Sequence, residues 1–251
     1  MTVLVLFTDF GLHGPYVGLL KLVIARYAST LPVIDLCHNA PAFAVQESAY
    51  LLATYAPEFP EGAVCMGVVD PGVGGARAGL ILQADGRCFV GPDNGLFDRI
   101  AARAQQVSVW HITWQPERLS ASFHGRDLFA PVAAMLAAGM ATPVALGVAV
   151  PFALRDWPDD LARIIYVDHY GNLMTGMRTS SISPDAVIHI AGQTLRKART
   201  FSDVTVGQGF WYENSSGLVE LAINQGSAAK QFGVKVGDDL QVIGDTITHR
   251  V

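Results

Sequence analysis

At 251 residues the chain has room for one large domain or two smaller ones, and 51% hydrophobic against 16% charged residues, where about 25% charged is usual, gives it a large core with apolar surface left over. That composition favours a globular protein, with oligomerisation as one way to cover the surplus, and a formal charge of -5 without a Lys/Arg cluster excludes a nucleic-acid footprint. The opening apolar run is short, lacks a basic flank and meets Asp9 at once, and no later stretch reaches the roughly 18 apolar residues of a membrane span, so the sequence reads as cytoplasmic and free of membrane contact.

In chain order, residues 3–8 (VLVLFT) are a continuous β-rich run, and residues 15–28 switch to helical periodicity with Lys21 and Arg26 on the outer face. The pattern continues as strand 33–37, helix 45–56, strands 63–69, 79–84 and 87–91, helix 95–103, strand 107–112 and helix 128–139. Such alternation predicts an α/β domain over residues 1–150, with a mostly parallel sheet covered by helices. After the Pro- and Asp-bearing stretch 151–161, read as a linker, short strands follow at 162–167, 186–191, 218–223 and 239–243, with glycine at most joints. They predict a smaller all-β, barrel-like domain over 162–251. Cys37, Cys65 and Cys88 lie in or beside apolar runs without CxxC spacing and read as buried free thiols.

In open α/β sheets, ligands bind beyond the carboxyl ends of the strands. The first strand runs into Asp9-Phe10-Gly11, the second into a loop ending at Phe43, and the third into Asp70-Pro71-Gly72, so two carboxylates and an aromatic should converge on one rim. Asp9 suits acceptance from a ribose diol, with a helix N-cap as its alternative. Phe43, taken alone, reads as core sooner than as a ligand platform. In "VVDPGVGGAR", residues 68–77, the glycines run into a strand and match neither phosphate-loop spacing. They serve a tight turn and close backbone approach, leaving Asp70 and Arg77 facing each other as a working pair or a solvated ion pair. In "FHGRDLFAPVAAML", residues 123–136, Asp127 is placed to N-cap a helix whose first turn tolerates Pro131, and His124 precedes it beside Gly125. "VDHYGNLMTG", residues 167–176, puts Asp168, Tyr170 and Asn172 at a tight turn, and "ENSSGLVELAINQG", residues 213–226, reads as a hairpin turn carrying Ser215. The other histidines are scattered without ligand spacing, so no metal is expected.

Together "FTDFG", "DPGVGGAR", "GPDNGLF", "FHGRDLFAP", "VDHYGN" and "NSSGLVELA" resemble the S-adenosyl-L-methionine hydrolases, or SAM hydroxide adenosyltransferases, relatives of fluorinase and chlorinase. The likeness runs over nearly the whole chain in the same order. It implies a homotrimer that binds S-adenosylmethionine between the N-terminal domain of one subunit and the C-terminal domain of its neighbour. It further implies that Asp70, Arg77 and His124 handle an attacking water, that Asp9 holds the ribose hydroxyls, and that Phe43 lines the sugar. Asp168 then holds the methionine ammonium group, Asn172 reads adenine, and Ser215 contacts the methionine carboxylate. Because the substrate's own sulfonium makes methionine a neutral leaving group, no cofactor is expected.

Within that resemblance, fluorinase and chlorinase carry tyrosines where this chain has Asp70 and His124, and fluorinase has a halide-binding serine where Gly125 stands. Hydrolysis is therefore the expected reaction, with halide transfer as the runner-up. A non-catalytic sensor of the same ligand is a third reading, against which an intact Asp70, Arg77 and His124 set argues. Ser216 stands where fluorinase has an arginine, which leaves the remaining contacts of the methionine carboxylate open. The expected chemistry is in-line attack of water at C5′, its proton accepted by Asp70 and His124 while Arg77 holds Asp70.

Overall fold

The first unit, ending at Trp157 in this computed structural model of residues 2–244, runs β1 (Leu4–Thr8), α1 (Tyr16–Tyr27), β2 (Val33–Cys37), α2 (Val45–Tyr55), β3 (Val64–Val68), β4 (Gly79–Ala84), β5 (Arg87–Pro92), α3 (Asp98–Arg103), β6 (Val107–Ile112), α4 (Ala130–Ala137), α5 (Pro143–Leu146) and β7 (Gly147–Ala149). Its strands form one sheet in the order β2-β1-β3-β5-β4-β6-β7. β2, β1, β3 and β5 pair in parallel, and only β4 and β7 run against the common direction. β1 and β3 are buried at every position, because helices cover both faces and leave no solvated side to alternate with. Leu4, Leu6 and Met66 pack with Leu20 and Ile24 of α1 and Val132 of α4. On the opposite face Phe89 meets Phe97, just ahead of α3, with ring centroids 5.8 Å apart. Each such fully buried side chain contributes about 1.5–3 kcal/mol of burial free energy.

The helix expected over 128–139 starts instead at Ala130, after a wide π-type turn over Gly125–Phe129. Asp127 therefore does not N-cap it: the carboxylate takes the Ser120 N–H at 2.8 Å and the Arg126 Nε–H at 2.6 Å. Pro131 does sit in the first turn of α4, where a missing N–H costs nothing.

The second unit begins at Pro158 and runs β8 (Leu161–Val167), β9 (Leu173–Arg178), β10 (Val187–Ile190), β11 (Gln193–Leu195), β12 (Gly209–Glu213), β13 (Leu218–Ile223), α6 (Ala228–Phe232) and β14 (Gln241–Ile243). Two antiparallel sheets, β12-β13-β9-β8 and β11-β10-β14, share one core around Trp211, whose indole N–H donates to the Ala186 carbonyl at 2.9 Å. β9 escapes the apolar pattern because Gly176 interrupts it, yet a Cβ there would lie 2.7 Å from Leu161 Cβ, so the glycine is what lets β8 approach. β7, β11 and β12 are further strands that the pattern does not announce. Residues 245–251 of the expected second domain lie outside the described residues. All three thiols are free, but only Cys65 is fully buried; Cys37 and Cys88 are half-buried. No helix among the described residues is long and apolar enough to cross a membrane.

Candidate functional site

Parallel pairing of β2, β1 and β3 brings their carboxyl ends to one edge, and backbone bonds knit the loops that follow. Ala40 N–H donates to the Thr8 carbonyl at 3.1 Å, Gly11 N–H to that of His38 at 2.6 Å, and Asp9 N–H to that of Val68 at 3.3 Å. Asp9, Phe10, Phe43, Asp70, His124 and Gly125 line a cavity of about 110 Å³ at this edge. α1 carries no side-chain cap, so Asp9 is not spent on capping it; one of its oxygens takes the Phe43 N–H at 3.2 Å instead. That bond helps hold Phe43 at φ 63°, a left-handed conformation that costs a non-glycine residue about 1–3 kcal/mol and tends to occur where function requires it. Phe43 is not core: it is 76% exposed. Burial, and secondarily the negative charge of Asp70, push the Asp9 carboxyl above its usual range. Two carboxylates facing one small cavity suit a cationic ligand.

The loop between β3 and β4 folds as two successive turns, Val73 N–H to the Asp70 carbonyl at 3.3 Å and Gly75 N–H to that of Gly72 at 3.0 Å. Gly74, at φ 80°, lies so close to residue 121 that a Cβ would stand 2.4 Å from the Ala121 carbonyl oxygen. The loop thus delivers Asp70 and Arg77 into contact. Arg77 Nε lies 3.0 Å from both Asp70 oxygens, and its Nη2 also donates to Oδ2. With side-chain exposures of 5% and 12%, this is a buried pair and not a solvated one. The same Nη2 lies 3.0 Å from His124 Nδ1. A guanidinium only donates, so Nδ1 accepts and the neutral ring carries its proton on Nε2. Burial and the neighbouring Arg77 charge lower the His124 pKa, against smaller opposing effects of Asp70 and Asp127, so the ring is neutral near pH 7. Asp70, Arg77 and His124 therefore form a hydrogen-bonded chain that ends in an N–H donor.

Gly125 sits under an aromatic cluster that includes Phe10 and Phe123, whose ring centroids are 5.7 Å apart. A Cβ at 125 would press on Phe10 Cζ at 3.0 Å, so even a serine requires the ring to shift.

In the second unit Asp168, Tyr170, Asn172 and Tyr212 line a larger cavity of about 830 Å³. Asn172 donates its backbone N–H to Asp168 Oδ1 at 2.8 Å and its amide Nδ2 to Oδ2 at 3.0 Å, so the two predicted residues act as one unit. Gln225, a residue the sequence reading passed over, lines the same cavity at φ 56°. Ser215 does not join them: it is exposed in the turn between β12 and β13, outside that lining. Asn214 builds this turn, its Oδ1 taking Ser216 N–H at 2.9 Å and Leu218 N–H at 3.0 Å. Its amide in turn donates to the buried Glu220 at 2.8 Å, which also takes the Tyr212 hydroxyl at 2.6 Å. Tyr212 lies on β12, which the sequence pattern does not announce, whereas Glu220 lies within the predicted strand 218–223 and gains its role only through its partners on β12 and in the turn. Among the described residues, no three His, Cys, Asp or Glu side chains are grouped to hold a metal ion.

Comparison with known proteins adds an independent line. The model of the SAM hydroxide adenosyltransferase N-terminal domain matches residues 4–147, and that of the C-terminal domain matches residues 162–241. A Salinispora arenicola protein named (R)-S-adenosyl-L-methionine hydrolase is 39% identical, over 94% of this chain and 95% of its own. A Thermus thermophilus protein of the same name is 35% identical, over 94% and 97%. A fluorinase from Nocardia brasiliensis reaches 23% over 94% of each. Among solved structures, an uncharacterised conserved protein from Thermotoga maritima superposes with a TM-score of 0.86 at 28% identity, covering 96% of this chain and 99% of that one.

Proposed function

The chain belongs to the SAM hydroxide adenosyltransferase family, and from that premise we infer that it is an S-adenosyl-L-methionine hydrolase, cleaving its substrate to adenosine and L-methionine. The observation that carries the assignment to residues is the hydrogen-bonded Asp70–Arg77–His124 chain, whose Asp70 and His124 line a cavity shared with Asp9 and Phe43. The relatives are named for the (R) sulfonium epimer, and we take that epimer as the substrate.

The oxygen of a bound water attacks C5′, the C5′–S bond breaks with its electron pair passing to sulfur, and the sulfonium leaves as the neutral thioether of methionine. The proton lost by the water goes to Asp70. His124 takes a different part from the shared-base role expected of it: with Nδ1 engaged by Arg77, it presents Nε2–H as a donor that orients the water's lone pair. Arg77 holds both partners. Asp9 takes the ribose hydroxyls, Phe43 lines the sugar, and in the second unit Asp168 takes the ammonium group and Asn172 the adenine. The reaction so written requires no cofactor. The exposed Phe43, Val73 and Tyr170 on the cavity walls suit burial against a neighbouring subunit, in a cytoplasmic homotrimer whose ligand sits between subunits.

Incubating the protein with each sulfonium epimer in ¹⁸O-labelled water, with and without chloride, tests this reading. Equal amounts of labelled adenosine and methionine from the (R) epimer, without halide, support it. A 5′-halo-adenosine formed only with halide, or ligand recovered unchanged, overturns it.

The lowered His124 pKa sets the acid side of the rate profile. Protonation places a proton on Nδ1, donor against donor and cation against cation with Arg77, while Asp70 and Asp127 offset this only in part. Because the neutral ring persists below the ordinary value near 6.5, kcat should hold steady from neutral pH past 6.5 and fall only at more acid pH. A kcat profile whose acid limb begins above 6.5 would contradict the assignment.

A further inference from the structure

The strand order itself points to a residue outside the set just described. β3 and β4 are not neighbours: β5 lies between them, parallel to β3 and antiparallel to β4. The segment from Val69 to Ala78, which carries Asp70 and Arg77, must therefore arch over the carboxyl end of β5. Asp93 and Asn94 stand directly after β5, at the centre of that arch. Both grip it. Asn94 Nδ2 donates to the Val69 carbonyl at 2.8 Å, on the peptide that leads into Asp70. The backbone N–H of Asp93 donates to the Ala78 carbonyl at 3.0 Å, one residue after Arg77. The Asn94 amide is fixed in this sense because its Oδ1 takes the Leu96 N–H at 3.3 Å, and Val69 offers only an acceptor.

The base of this clamp is itself constrained. Gly95, at φ 105°, has Trp157 and Arg155 so close that a Cβ would stand 2.6 Å from the Trp157 ring. Arg155 is tied to the buried Asp98 carboxylate at 3.1 Å, and its backbone N–H donates to the same group at 2.9 Å. Asp93 receives His111 Nε2 at 2.9 Å. The turn over residues 93–96 is thus a seated support, and the arch above it is held at both feet.

We propose that Asn94 is a positioning residue for hydrolysis, holding the Val69–Asp70 peptide so that the Asp70 carboxylate meets both Arg77 and the attacking water. This rests on Asp70 being the proton acceptor. Asn94 touches no substrate; it acts through Asp70, where a displacement of about 1 Å is enough to cost about 100-fold in rate.

Asn94→Asp isolates the contact, since it keeps an acceptor for Leu96 N–H but sets an oxygen against the Val69 carbonyl. Wild type, Asn94→Asp, Asp70→Asn and the double variant are compared by kcat, KM and thermal unfolding. The expected result is a kcat loss of about 10- to 100-fold in Asn94→Asp with KM within about threefold. In the Asp70→Asn background the same change should have almost no further effect, because the two act through one group. Asn94→Ala should give the same pattern and carries the test if Asn94→Asp does not fold. Wild-type kcat in Asn94→Asp, or a loss that adds fully to that of Asp70→Asn, overturns the proposal while leaving the hydrolase reading intact. Failure of the wild type to cleave the sulfonium removes the hydrolase reading itself, and the proposal with it.

Discussion

Replacing Asp70 by asparagine lowers kcat by about 100-fold or more, the scale of a positioned general base, while ligand affinity stays within a few-fold. The substitution is close to isosteric, so it tests the proton acceptor and not the shape of the cavity. In the wild type the carboxylate is held on both oxygens by Arg77, and Arg77 is shared with His124. An amide there keeps one acceptor oxygen but cannot take the water's proton. A 100-fold loss corresponds to about 2.7 kcal/mol of transition-state stabilisation, and none of it belongs to ground-state binding if Asp70 acts only as the water deprotonates. The loss should therefore appear in kcat and not in KM. Steady-state kinetics together with a ligand titration by calorimetry check the split. Wild-type kcat in Asp70→Asn removes Asp70 from the proton-accepting role, and a loss confined to KM makes it a binding group instead.

What the sequence disclosed follows from where its signals are physically forced. Strands such as 4–8 and 64–68 are buried on both faces, so they must be continuously apolar, and the loops after them are the only places where Asp9 and Asp70 have room to act. The first unit was legible for that reason. β9 was not, because its Gly176 answers to the packing of Leu161 and not to strand propensity. Asp127 satisfied a local capping rule that tertiary structure overrode, since the Ser120 N–H and Arg126 claim its carboxylate. Phe43 shows the limit of composition: a phenylalanine implies burial, and only the backbone at φ 63° explains why this one is turned outward beside the cavity. The role of His124 depended on which ring nitrogen was taken, a fact fixed by a contact 47 positions away in the chain. Asn94 follows a predicted strand and so met the same carboxyl-end rule as Asp70, but its importance lies in a strand order that no local pattern states.

Replacing Arg77 by methionine separates the structural from the chemical share of the same cluster. Asp70 and Arg77 are nearly enclosed, with side-chain exposures of 5% and 12%, so removing the guanidinium leaves a carboxylate without water or counter-charge. Breaking a buried pair from one side costs about 3–5 kcal/mol, far more than the pair's net worth, because the surviving charge bears its whole desolvation penalty. At about 2–4 °C per kcal/mol for a unit of this size, the unfolding midpoint of the N-terminal unit falls by roughly 6–20 °C. The cause can be isolated by pairing the variant with Asp70→Asn, which removes the stranded charge. If desolvation dominates, the double variant recovers most of the lost midpoint while its kcat stays as low as that of Asp70→Asn alone. Stability is then restored while turnover is not, which a general loosening of the loop cannot produce. An Arg77→Met protein that melts with the wild type shows instead that water reaches Asp70 freely, and a proton acceptor so solvated could not be the dry, guanidinium-held group on which the mechanism rests.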